Sequence, residues 1–166
     1  MITEQDLATT NISMKYDLSP LKNVVGDMSG LVADFCDEFI GAFYPKNVSK
    51  KANIVVTELF NNALANNVDG NSKIVLEVKI NRDRLVIKML NAANRSQYRA
   101  VKEHIRRIKS VDNVKRLLAD TIRERRKDQL KGGLGLIRLV AENKFDLSVR
   151  YRAPFLIIVS QISLGG

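Results

Sequence analysis

Three stretches of this chain carry residue types that do chemistry. The first is GGLGL, Gly132 to Leu136, followed at once by IRLVAE. A glycine-rich turn that opens a helix presents bare backbone N–H groups to an anion, although glycine pairs also simply end loops. The second is the span from Arg95 to Lys127, with 12 Lys or Arg against four Asp or Glu. Its excess of +8 is most of the net charge of +9. Such a segment attracts phosphate, as nucleotide, nucleic acid or acidic protein, or it is a solvated helix face. The third is TELFNNALANN, residues 57 to 67. Asparagine is a mediocre helix former and this run holds four. Glu58 and Asn62 nevertheless sit one helical turn apart, with Asn66 a turn further on.

The elements around these stretches follow from periodicity. Val55, Val56, Leu59, Phe60, Ala63 and Leu64 recur at helical spacing, so the asparagine run lies on a helix with a buried stripe, opening near Ser49. An earlier helix is expected from an N-cap at Ser19 and a first-turn Pro20, carrying Val24, Val25, Met28, Leu31, Val32, Phe35, Phe39 and Ile40. NISMKY (11–16) alternates as a strand. VDGN (68–71) is a turn in which Gly70 is free to take positive φ. SKIVLEVKI, NRD and RLVIKML read as a hairpin. The basic span divides into two thinly striped helices near Val111 and Asp112. The glycine cluster opens a short apolar helix, and DLSVRYR and FLIIVSQISL close the chain as strands. Helices in blocks and strands in hairpins predict an α+β fold, a two-layer sandwich in one domain spanning 1–166.

Composition narrows the function. One cysteine, Cys36, in a helical apolar pattern reads as a buried small hydrophobe, and one His with one Cys excludes a zinc ribbon or a Cys–His pair. No apolar run is long enough to span a bilayer, and the polar start MITEQDLATT is no signal peptide, so a cytoplasmic protein is expected. No Gly-Lys-Ser/Thr follows the glycines, and no strand feeds directly into them, which rules out Walker and Rossmann loops.

Taken together, ELFNNALANN, a hairpin ending in MLNAAN, a variable segment, GGLGLIRLVAE and two closing strands resemble the GHKL, or histidine-kinase-type, ATPases. The likeness covers about residues 10–163. The small size is similar to the stand-alone anti-sigma-factor serine kinases and SiaB-type serine/threonine kinases of bacterial partner switching. The resemblance implies a Bergerat-type sandwich with a mixed sheet and helices on one face. It implies ATP and Mg²⁺ as cofactors, with Asn62 as metal ligand and Glu58 orienting water or accepting the proton of the attacking hydroxyl. Asn66, Asn91, Ala93, Lys131, Gly132, Gly133, Leu134 and Gly135 are implied around the nucleotide. Arg123, Arg125, Arg126 and Lys127 would belong to a mobile ATP lid. The departure is the adenine box. Relatives carry an Asp followed by glycines, whereas this chain has Asn91, Ala92, Ala93 and Asn94. Asn91 keeps an acceptor oxygen without the charge, at a cost of about 1–2 kcal/mol, and Ala93 adds a methyl.

The expected activity is ATP-dependent phosphorylation of a Ser or Thr on a partner protein, which would be a substrate or regulator. The first alternative is an inactive module of the same fold that sequesters its partner. A nucleic-acid binder is the weaker rival, since no RNP-like or helix-turn-helix signature stands out. The oligomeric state is open, a homodimer included.

Overall fold

Alternation with period two and apolar stripes with period near four build ten described elements. The computed structural model describes residues 9–19, 27–66, 73–128 and 133–165. The strands are β1 (Ile12–Leu18), β2 (Ile74–Ile80), β3 (Arg84–Ala92), β4 (Asp146–Arg152) and β5 (Phe155–Ser163). The helices are α1 (Met28–Gly41), α2 (Lys46–Ala65), α3 (Arg95–Ser110), α4 (Val114–Asp128) and α5 (Leu134–Ala141).

Two helix starts differ from expectation. α1 begins after Asp27, whose carboxylate accepts from the Gly30 N–H at 2.8 Å and so caps the helix. The earlier start at Pro20, with Val24 and Val25, lies outside the described residues, as does the VDGN turn. α2 begins at Lys46 behind Pro45, three residues before Ser49. Ser49 is buried one turn into the helix, where its hydroxyl donates to the Asp37 carboxylate of α1.

The sheet has strand order β1-β2-β3-β5-β4, and every described pair is antiparallel. The mixed sheet expected within the sandwich is therefore not formed. β4 runs in the direction of β3, but β5 folds back between them, so the long β3-to-β4 crossover creates no parallel pair. Leu76, Ile87 and Ile158 point to one face, which the helices cover, and Phe60 of α2 is fully buried there. Burying a side chain of that size stabilises the fold by about 1.5–3 kcal/mol. On the opposite face Lys15, Glu77 and Lys88 stand in register across β1, β2 and β3, with Lys88 paired to Glu77 at 3.2 Å. This is the two-layer α+β sandwich expected.

The basic segment is more firmly built than a lid with thin stripes implies. Ile105 and Ile108 of α3 and Leu117 and Leu118 of α4 are buried in the common core. Asn94 and Gln97 close a capping box at the start of α3. Among the described residues, no helix is long and apolar enough to cross a membrane.

Candidate functional site

α2 crosses the end of β3, and its C-terminal half forms one wall of a cavity of about 410 Å³. Asn62 and Asn66 come from α2, Asn91 from β3, Val101 and His104 from α3, Gly133 and Leu136 from the start of α5, and Leu156 and Ile158 from β5. The walls are apolar and the polar groups few, the usual make-up of a small-molecule pocket. Four residues singled out in the sequence, 62, 66, 91 and 133, thus meet around one space although they are far apart along the chain.

Each polar group has a defined state. The side-chain amide of Asn62 is half-buried and makes no hydrogen bond among the described residues, so its oxygen is open to a ligand. Asn66 is exposed and donates through its amide to the Asn62 backbone carbonyl at 2.8 Å, closing the last turn of α2. Asn91 continues the inward-facing series Leu85, Ile87 and Met89, between Ile74 and Leu156 in register. It is buried, and its amide nitrogen donates to the Ala92 carbonyl at 3.1 Å. Its oxygen accepts no bond among the described residues, which leaves an acceptor at the cavity wall.

The two described glycines of the turn serve different ends. Gly133 has φ +86 and forms the N-cap of α5. A Cβ there would be strained by the backbone alone, and it would stand 3.4 Å from the His104 ring and 3.5 Å from Arg125 Nη2. Gly135 has an ordinary helical backbone, but a Cβ on it would overlap the Glu58 carboxylate. Glu58 therefore lies against the first turn of α5, and it is not among the cavity-lining residues. In this structure the group that crowds Gly135 is the Glu58 carboxylate.

Other expected residues fall elsewhere. Ala93 is buried, its N–H donating to Pro154 and its carbonyl accepting from Tyr151, so it ties β3 to the β4–β5 turn and does not line the cavity. Leu134 packs on the core. Lys131 and Gly132 lie outside the described residues, as do the side chains of Arg126 and Lys127. Arg123 is exposed and pairs with Asp120 at 3.5 Å.

His104 was missed. Its Nε2–H donates to the Gly133 carbonyl at 2.8 Å, fastening α3 to the glycine turn. The sequence signal was there: His104 falls three residues after Val101, on the flank of the α3 stripe. Among the described residues, no group of three or more His, Cys, Asp or Glu side chains could hold a metal by itself. A hard cation here would take its oxygens from Asn62, water and a bound anion, and the open amide of Asn62 fits that role.

No protein-family model matches the chain, and no curated protein matches it. Among solved structures, a chain of the SiaB–SiaC complex from Pseudomonas aeruginosa is similar. It has a TM-score of 0.64 at 12% identity, over 90% of this chain and 89% of that one. At that identity the likeness is one of fold.

Proposed function

We propose that this protein binds ATP–Mg²⁺ in the α2–β3–α5 cavity and acts as a serine/threonine kinase or regulator in a partner-switching pathway. One observation carries the reading: Asn62, Asn66, Asn91 and Gly133 border a single pocket whose walls are otherwise apolar. Asn62 would supply a metal oxygen, Asn91 the acceptor for the base, and the Gly133 turn with Arg125 the surroundings of the phosphates. Glu58, beside the start of α5, would take the hydroxyl proton during phosphoryl transfer. A protein partner accords with the neighbour in fold, a chain of the SiaB–SiaC complex.

A second reading is a non-catalytic module that holds the partner, with or without nucleotide. Its support is the position of Glu58, outside the cavity lining, together with the uncharged Asn91. Titration calorimetry with ATP, with and without Mg²⁺, tests the first reading. Heat of binding that requires Mg²⁺ is expected, and no binding at millimolar ATP would remove it. Binding without transfer of labelled phosphate to any partner protein would leave the second.

A further inference from the structure

α3 carries a ridge of cations that the cavity does not use. Arg95, Arg99, Lys102 and Arg106 follow one another at intervals of four, three and four residues, and all are exposed. At about 100° per residue they fall within a sector of about 60°. Ala100, Val101 and His104, the α3 residues that line the cavity, lie on the opposite side of the helix. The ridge therefore points away from the cavity. It also weakens its own helix. Like charges three and four residues apart repel, and α3 opens with Arg95 and has no acid in its first turn, against the preference of a positive helix N-terminus. Among the described residues, Arg106 alone of the four has a carboxylate partner, Glu103 at 2.8 Å. Cations placed at the expense of their helix call for an anion from outside the chain.

An aromatic pair flanks the ridge. Tyr98, one turn before Lys102, stacks on Tyr151 of β4 at 5.3 Å, and the Lys102 ammonium stands over the Tyr98 ring at 5.7 Å. Both tyrosines are half-buried, so part of each side chain reaches solvent. We infer that this face of α3 binds a single strand of nucleic acid, with phosphates along the ridge and a base against Tyr98. The contact runs for about 17 Å, the rise of the helix from Arg95 to Arg106. Three of the four cations are arginine, whose planar fork suits phosphate oxygens. An acidic protein would satisfy the cations and leave the rings without a role. A single strand engages both, since every base has a face to stack and every link a phosphate. A duplex keeps its bases paired, with none free for Tyr98. No base-reading motif accompanies the ridge, so the strand is held without sequence preference. RNA and DNA strands share this chemistry. The ridge and the cavity lie on different sides of α3, so the two sites act independently.

Fluorescence anisotropy of the full chain with labelled oligo(U) and oligo(dT) of about 20 nucleotides tests this, and comparing the two separates RNA from DNA. Four phosphate contacts give log affinity a slope of about −3 against log salt, so binding should weaken about 50-fold between about 50 and about 200 mM salt. Arg95→Glu should bind about tenfold more weakly with a shallower slope. It should also melt no lower than the wild type, because it puts an acid at the helix N-terminus, four residues before Arg99. Tyr98→Leu keeps an apolar side chain against the core and should lose about tenfold in affinity at an unchanged slope. ATP–Mg²⁺ should not displace the strand. No binding at about 100 µM protein in low salt, or binding that Arg95→Glu leaves unchanged, overturns the inference. Displacement by ATP–Mg²⁺ overturns the ridge as the site, and full affinity in Tyr98→Leu overturns the stacked base. Equal affinity for poly-glutamate of the same length overturns the nucleic acid in favour of an acidic protein.

Discussion

At the scale of single residues, stability and ligand chemistry separate cleanly, and substitutions can tell them apart. Asn62→Ala removes an amide with no described partner and substitutes a better helix former, so stability should hold or rise by a few tenths of a kcal/mol. Mg²⁺-dependent ATP affinity should fall at least tenfold, read by calorimetry; unchanged affinity would remove Asn62 from the metal. The glycines give the complementary pair. Gly133→Ala must hold φ +86 with a Cβ and should cost about 1–2 kcal/mol in urea unfolding. Gly135→Ala meets only the far end of Glu58, a side chain that can swing aside, and alanine favours the helix. Its melting temperature should change little while phosphoryl transfer is lost; a large drop in stability instead would make Glu58 a packing residue. The placement of Glu58 and Asn62 on one helix, and of Gly133 at the start of another, was legible because helical spacing and glycine chemistry are local. The bond of His104 to Gly133 was not, since it spans 29 residues and needs the fold to exist.

At the scale of elements, periodicity found every described helix and strand, and the errors lie at the ends. α2 starts at Lys46 and not near Ser49, because Pro45 holds the N-cap without a side-chain hydrogen bond, and the Ser49 hydroxyl instead donates to Asp37. That contact has a pH signature. The Ser49 hydroxyl first, and Lys46 second, hold the Asp37 carboxyl below its usual range. A lowered carboxyl stabilises the fold above the unfolded value near pH 3.9, and the contribution is lost as pH falls through the folded value. Asp37→Asn should therefore melt below the wild type at neutral pH, and the gap should close below about pH 4. α3 depends on its capping box, and Asn94→Ala should cost about 1 kcal/mol by denaturant unfolding. The buried stripes of α3 and α4 revise the lid expectation: amides around Ile105, Ile108 and Leu117 should exchange slowly even without nucleotide.

At the scale of the whole molecule, the sandwich was legible from the blocks of helices and hairpins, whereas the antiparallel sheet was not. Strand order is decided by which long-range pairing wins, and no local signal places β5 between β3 and β4. The net charge of +9 belongs to this scale too. If the basic segment draws phosphate to the cavity, ATP affinity should weaken as salt rises, and charge reversal at Arg125 should flatten that dependence. The position of β5 carries one more consequence, for synthesis. The cavity wall includes Leu156 and Ile158, and the strand that bears them enters the middle of the sheet. A nascent chain can pair β1, β2 and β3 and stack α1 on α2, but the edge of β3 stays open until residue 158 and its neighbours have emerged from the ribosome. Until then the pocket lacks a wall and no ligand can stabilise it. The unfinished sheet offers a bare apolar edge in the meantime, and the step that seals it joins strands more than sixty residues apart, a slow kind of contact to form.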